Sequence, residues 1–377
     1  MFSRVFSSEC EIWCPRPKAR AAWHDAAPRS SEAATPAFCA GASFSRRLER
    51  LRTRLRKVFR SKLHTVKSTS MPLHPALKEL IGAKIAGTRA PQWRLPIEEV
   101  RASFRALWVP AITGGAVDVA SAEDKTLETA AGPVRARVFI PEDSKPLPLM
   151  MYFHGGGYVK GGVVETDPFC RRLAKTTGNV IVSVDYRLTP EDPYPAALDD
   201  AYSSTVWAYE HAEALGGTQA SFSVCGESAG GNLATVTCLL ARSNGEVEID
   251  RQILLQPVVD FTLSFLSIGM PASECLVPRE DLAWYYEQYY GTDKDTRDPR
   301  VSPIFANDLS GSPPALIIAA EYDTLRDEAN AYADRLGSFS VETRYTCYGG
   351  MVHGFLQMAG LVEEAQAAMD EIALFCR

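Results

Sequence analysis

The spacing of hydrophobic positions changes character twice along this chain. Residues 1–70 mix Arg, Ser, Ala and Pro with little alternation that could build a core, until 46–60. There Leu48, Leu51, Leu55 and Phe59 recur three and four apart among Arg and Lys, which predicts a short basic amphipathic helix. From Pro72 onward, 75–86 and 96–109 carry apolar residues at helical spacing and predict two helices. After Gly115 short β-rich runs alternate with helical ones. Strands are predicted at 134–140, 147–153, 180–186, 222–225, 252–257, 315–320 and 341–347, and helices at 167–177, 196–212 and 229–242. Another helix is expected to begin near Asp327. Such alternation defines an α/β fold, a mostly parallel central sheet flanked by helices on both faces.

Charge divides the chain at the place where the pattern first changes. The 377 residues carry a net charge of −6. Residues 1–70 hold 15 Lys+Arg against 5 Asp+Glu, a balance of +10, so 71–377 carries −16. A basic arm, 1–70, followed by an acidic domain, 71–377, is the organisation this implies. The arm admits three readings: an unstructured or artefactual extension, a transit-peptide-like or membrane-surface segment, or a nucleic-acid contact. The last lacks the aromatic interleaving or module signature that would support it, and no nucleic-acid partner is expected. No apolar run approaches the ~18 residues of a membrane-spanning helix, and no continuous apolar stretch at the N-terminus marks a secretory signal. Nine cysteines without CxxC pairs or zinc-like spacing read as free thiols in a reducing compartment. Together these place the chain in the cytoplasm.

Candidate chemistry lies at the ends of the predicted strands. Gly226-Glu227-Ser228-Ala229-Gly230 sits between the strand at 222–225 and the helix at 229–242. A serine on such a turn has an exposed hydroxyl, and the helix N-terminus beside it favours a developing oxyanion. Upstream, His154-Gly155-Gly156-Gly157-Tyr158 follows the strand at 147–153, and consecutive glycines let backbone N–H groups approach a ligand closely. A serine nucleophile needs a base. Of six histidines, His24 and His64 lie in the arm, His74 at the domain start, His154 in the glycine loop and His211 near a helix end. His353 remains, in a loop after the last predicted strand. A carboxylate between Ser228 and His353 in chain order is then required, and Asp323, directly after the strand at 315–320, is chosen. Asp327 is the reserve acid, although Asp327 and Glu328 read as caps of the helix that begins beside them.

These residues together resemble the hormone-sensitive-lipase-like branch of the α/β-hydrolases, also called bacterial esterase family IV. The resemblance covers about 72–377 and rests on HGGG at 154–157, Asp185-Tyr186-Arg187-Leu188 with Pro190-Glu191, GESAGG at 226–231, Asp323 to Glu328, and His353-Gly354-Phe355. It implies the α/β-hydrolase fold, with Ser228 as nucleophile, Asp323 as acid and His353 as base. It also implies an oxyanion hole built from the N–H groups of Gly156, Gly157 and Ala229, and a chiefly structural His154. Glu227 stands where many members carry Asp, and Thr324 where many carry Pro; the arm has no counterpart in the usual compact member.

Members of this branch carry a cap over the site, for which 72–112 and 260–299 are the candidate pieces. The second contains Phe261, Phe265, Trp284, Tyr285, Tyr286, Tyr289 and Tyr290, some of which are expected to line an apolar acyl pocket. The activity expected is hydrolysis of short-to-medium acyl esters through an acyl-enzyme, with a small-molecule ester as partner and neither metal nor organic cofactor. A lactonase or amide-type deacylase with the same triad is the alternative, and a non-catalytic receptor of the same fold a remoter one, against which the complete triad argues. Oligomeric state is left open, a homodimer included.

Overall fold

The computed structural model describes residues 71–87, 90–142 and 146–377; the helix predicted at 46–60 lies outside the described residues. In chain order these form helices α1 (Pro75–Gly87), α2 (Ile97–Leu107) and α3 (Pro110–Thr113), then strands β1 (Ser121–Thr129), β2 (Gly132–Ile140) and β3 (Leu147–Phe153). There follow α4 (Asp167–Thr177), β4 (Val180–Asp185), α5 (Ala196–Glu210), β5 (Gly217–Glu227), α6 (Ala229–Asn244) and β6 (Arg251–Leu255). The chain closes with α7 (Arg279–Tyr290), β7 (Ala315–Tyr322), α8 (Arg326–Ser338), β8 (Thr343–Val352) and α9 (Glu364–Phe375).

The strands form one sheet in the order β1-β2-β4-β3-β5-β6-β7-β8. The β1–β2 and β2–β4 pairs are antiparallel, and every pair from β4 to β8 is parallel. Side chains alternate across a strand, and here both faces are apolar, so the central strands read as unbroken hydrophobic runs. In β3, Leu149, Met151 and Phe153 enter one core while Met150 and Tyr152 enter the other. In β7, Ala315, Ile317 and Ala319 divide from Leu316, Ile318 and Ala320 in the same way. The first core is shared with buried residues of α5, α6, α7 and α8, the second with those of α1, α4 and α9.

Three differences from the sequence reading have physical causes. Strand β1, Ser121–Thr129, was not anticipated, because an edge strand paired only with β2 buries Leu127 alone and leaves Glu123, Asp124 and Glu128 exposed. Strand β5 extends beyond 222–225 because its polar N-terminal end still completes the ladder with β3, and β8 runs Thr343–Val352 rather than 341–347 because its pairing with β7 continues past Gly349-Gly350 to Val352. Helix α9 was passed over, although Ala365, Ala368, Met369 and Ile372 are buried at helical spacing that the sequence displays.

Register brings the important loops together. Phe153 at the end of β3 pairs with Gly226 of β5, Glu227 pairs with Leu255 of β6, and Tyr322 of β7 pairs with Val352 of β8. The four loops that carry candidate chemistry therefore leave the same, C-terminal edge of the parallel sheet.

Candidate active site

Strand β5 ends at Glu227 and α6 begins at Ala229, so a single residue makes the turn. Ser228 has φ 56° and ψ −117°, a strained left-handed-side conformation for a residue with a Cβ. Surrounding backbone holds it there. Its N–H donates to Leu255 O at 2.9 Å, and its carbonyl accepts from the N–H groups of Asn232 and Val258, each at 3.1 Å. Asn232 fixes the opposite wall, its Nδ2 donating to Val258 O at 3.0 Å and Val301 O at 2.8 Å. A Cβ on Gly226 would collide with the Gly230 carbonyl, and one on Gly230 with the Phe153 carbonyl. The elbow thus presses directly on the start of the glycine loop. The serine side chain is 8% exposed.

The glycine loop turns at Gly156 (φ 126°) and Gly157 (φ 65°), with Gly156 O accepting from the N–H groups of Val159 and Lys160. A Cβ on Gly156 would strike the Lys160 carbonyl, and one on Gly157 the ring of Tyr285. Among the described residues, the N–H groups of Gly156, Gly157 and Ala229 have no protein acceptor. Unpaired backbone donors at a helix N-terminus and a tight glycine turn suit a group that acquires negative charge during reaction. His154, by contrast, faces inward. Its ring stacks on Tyr186 at 4.1 Å, Nδ1 pairs with Gly155 O at 2.7 Å, and Tyr186 Oη donates to its carbonyl at 2.7 Å. Burial lowers its pKa, so the ring stays neutral and acts as a brace for the loop.

Asp323 and His353, 30 residues apart in sequence, meet at the ends of β7 and β8. His353 Nδ1 donates to Asp323 Oδ2 at 2.8 Å, and Asp323 Oδ1 accepts from the Leu325 N–H at 3.0 Å. Asp323 is 1% exposed. Burial alone would lower the His353 pKa, but the Asp323 carboxylate, through charge and hydrogen bond, and Glu227 through charge, raise it above 6.5. The loop is held by Gln256, which sequence reasoning overlooked. Its Oε1 accepts from the Gly354 N–H at 2.7 Å while its Nε2 donates to Val352 O at 3.0 Å, bracketing His353.

Asp327 does not share this geometry. Its carboxylate accepts from the Ser267 N–H at 2.9 Å and from Arg326 Nε at 2.8 Å, leaving Asp323 as the carboxylate on the histidine. The capping role expected for Asp327 and Glu328 is corrected as well. Neither caps α8: the N-cap residue Leu325 makes no side-chain cap bond, and the Asp327 N–H in the first turn donates to Ser267 Oγ at 3.2 Å; Glu328 is fully buried, with Oε1 accepting from the Val259 N–H at 2.8 Å and the Asp260 N–H at 3.3 Å. The Glu328 side chain instead satisfies two loop donors, the Val259 and Asp260 N–H groups, that water does not reach.

The aromatic segment packs more than it lines. Tyr286 stacks on Phe261 at 3.9 Å and Tyr289 on Tyr158 at 3.8 Å, with Tyr290 and Tyr194 closing the cluster edge-on. Tyr285 differs: its ring lies against Gly157, and its hydroxyl joins Lys160 Nζ (2.6 Å) and Gln92 Oε1 (3.0 Å). Thr324, in the acid loop, ties to the same segment by donating to Val277 O at 2.8 Å. Outside the site, Arg187 in the DYRL stretch grips Asp200 with Nε at 2.9 Å and Nη2 at 2.7 Å, fixing the chain after β4 to α5. His211 stacks on Trp207 away from these groups, and His24 and His64 lie outside the described residues.

A strained serine between strand and helix, neighbouring free amides and a carboxylate-bound histidine on successive strand ends are the arrangement of an α/β-hydrolase. A family model described as alpha/beta hydrolase fold matches residues 150–357, and the chain belongs to that family, in its hormone-sensitive-lipase-like branch. It is 38% identical over 280 residues to the carboxylic ester hydrolase LipN of Mycobacterium tuberculosis, covering 72% of this chain and 73% of that protein. To the ethyl acetate hydrolase of Pseudomonas putida it is 33% identical, covering 79% and 96%. A solved hyperthermophilic esterase from the archaeon Pyrobaculum calidifontis aligns with TM-score 0.77 and 38% identity, covering 81% of this chain and 98% of that one.

Proposed function

We propose that this chain hydrolyses short-to-medium acyl esters through an acyl-enzyme on Ser228. The observation that carries the reading is the His353–Asp323 hydrogen bond, 2.8 Å, at the ends of β7 and β8, on the same C-terminal edge of the sheet as a strained Ser228. His353 takes the Ser228 proton as the hydroxyl attacks the ester carbonyl and returns it to the leaving alcohol; the same base then activates water for deacylation. Asp323 fixes the tautomer that leaves Nε2 free and stabilises the imidazolium. The N–H groups of Gly156, Gly157 and Ala229 receive the oxyanion. Relatives named as ester hydrolases and esterases support the bond class, and the buried Tyr285 ring against Gly157 supports a small acyl group.

Ser228→Ala is expected to lower kcat on p-nitrophenyl butyrate by at least about 10³-fold with the fold intact. Retention of most activity would place the nucleophile elsewhere. A panel of esters, ε-lactones and N-acyl amides checks the bond class, and preference for either of the latter two would displace the ester reading. No helix among the described residues is long and apolar enough to cross a membrane, and the six described cysteines are all unpaired, which supports residence in the reducing cytoplasm. Homodimer assembly belongs to the same proposal, and sedimentation of the purified chain tests it.

A further inference from the structure

Glu227 is the one buried carboxylate beside Ser228 to which the triad gives no role. It is the last residue of β5, directly before the nucleophile, and 3% exposed. Its Oε2 accepts from Gln357 Nε2, in the turn that follows His353, and lies 3.2 Å from where a Cβ on Gly155 would sit. Its Oε1 lies 4.0 Å from the Cβ position of Gly354, the residue after His353, and has no hydrogen-bond partner. The carboxyl group is thus wedged between the glycine loop and the histidine loop with one oxygen unsatisfied. A buried polar atom left unpaired is costly, and such groups cluster where their field is used.

We propose that Glu227 is a positioning residue for His353: it ties down the histidine loop through Gln357 and supplies a second negative charge that stabilises the imidazolium formed as Ser228 attacks. The assignment rests on the triad reading. The groups facing Glu227 are Cys225 on its own strand, Tyr152 on β3, Tyr186 after β4, Cys170 on α4, Asp323 after β7 and His353 after β8. Both tyrosines and both thiols are pushed upward by burial and stay neutral, so Asp323 and His353 are the charged partners. Glu227 is raised to about 7: burial lifts it most, the His353 charge and the Gln357 hydrogen bond offset part of that, and Asp323 adds to it. Proton arrival on His353 therefore favours the ionised form of Glu227, and the charge is present when the imidazolium needs it.

Glu227→Gln keeps the shape and an acceptor for Gln357 while removing the charge. With less negative potential the His353 pKa falls, so the acid limb of kcat/KM is expected about half a pH unit lower. kcat is expected to fall about tenfold with KM little changed, since the lost interaction belongs to the transition state. Glu227→Asp, which retains the charge, brings the limb back towards the wild-type position. A merely structural role would lower activity without moving the limb, and an unmoved limb in Glu227→Gln overturns the proposal. Should that variant fail to fold, Gln357→Met carries the same test: without the amide Glu227 is ionised in fewer molecules near neutral pH, so the limb moves the same way, and an unmoved limb again overturns it. Ser228→Ala separates the two readings. An active Ser228→Ala sinks the triad; an inactive one beside an unmoved limb sinks only the role of Glu227.

Discussion

At Gly157 the backbone needs a positive φ of 65° and the ring of Tyr285 occupies the space a side chain would fill. Gly157→Ala therefore has to move both the turn and the ring. The expected result is a loss of kcat of about 10²-fold, the scale of one misplaced oxyanion donor, together with a lower melting temperature, because a buried ring and a positive-φ turn must both shift. Equal activity of the variant, measured as initial rates on a p-nitrophenyl ester, would show that this amide takes no part. Much of the proposed site at this scale is legible in the sequence. Ser228, Asp323 and His353 each follow a strand and sit in short stretches of distinctive residues, so local reading finds them. Glu227, Gln256 and Gln357 escaped it because their partners are far away in the chain. Gln256 grips Gly354 across 98 residues and Gln357 reaches Glu227 across 130, and no spacing rule connects such pairs.

Among the elements, α8 presents the sharpest test. Glu328 in its first turn is buried, and burial, with Asp260 and Asp323 adding charge repulsion, raises its pKa well above 4.5. The folded chain then holds a proton that the unfolded chain releases, so this group's contribution to stability falls as pH rises above 4.5. Glu328→Gln preserves an acceptor for the Val259 and Asp260 amides without the buried charge. It should melt at or above wild type, by a margin that widens with rising pH, whereas Glu328→Ala orphans two buried N–H groups at a cost of about 1–3 kcal/mol each and melts lower throughout. Parallel melting curves for wild type and Glu328→Gln across pH would refute the assigned cause. Elements with two apolar faces, such as β3 and β7, were legible from pattern alone. Strand β1 was not, since an edge strand with one buried leucine has the composition of a loop, and its existence depends on the ladder that β2 offers.

For the molecule as a whole, the acidic segment that begins at Met71 is anchored at its first residues. Tyr322 Oη donates to the Met71 carbonyl at 2.9 Å, and the His74 N–H to Gly350 O at 3.0 Å, three residues before His353. The first residues of the acidic segment are thus stitched to the loop that carries His353. A chain beginning at Met71 is expected to fold and to hydrolyse esters with kcat/KM within about threefold of the full chain, because the groups assigned to chemistry all lie beyond that point. Loss of activity on removing 1–70 would mean that the basic arm contributes to the catalytic domain. A chain beginning at Leu80 should do worse, since it loses both the Met71 contact and Leu77, which is fully buried in the second core.

The contact of Gly230 with the Phe153 carbonyl bears on how such a catalyst could be borrowed. Elbow and glycine loop touch backbone to backbone, with no side chain between them to absorb a change in spacing. Transplanting the 226–231 segment into another sheet would deliver a serine without its partner amides, and transplanting 153–160 would deliver amides with nothing to serve. The smallest unit that keeps the serine and the amides in register is the adjacent strand pair β3 and β5 with both of its turns, moved as one piece; the histidine and its carboxylate on β8 and β7 would still have to be supplied.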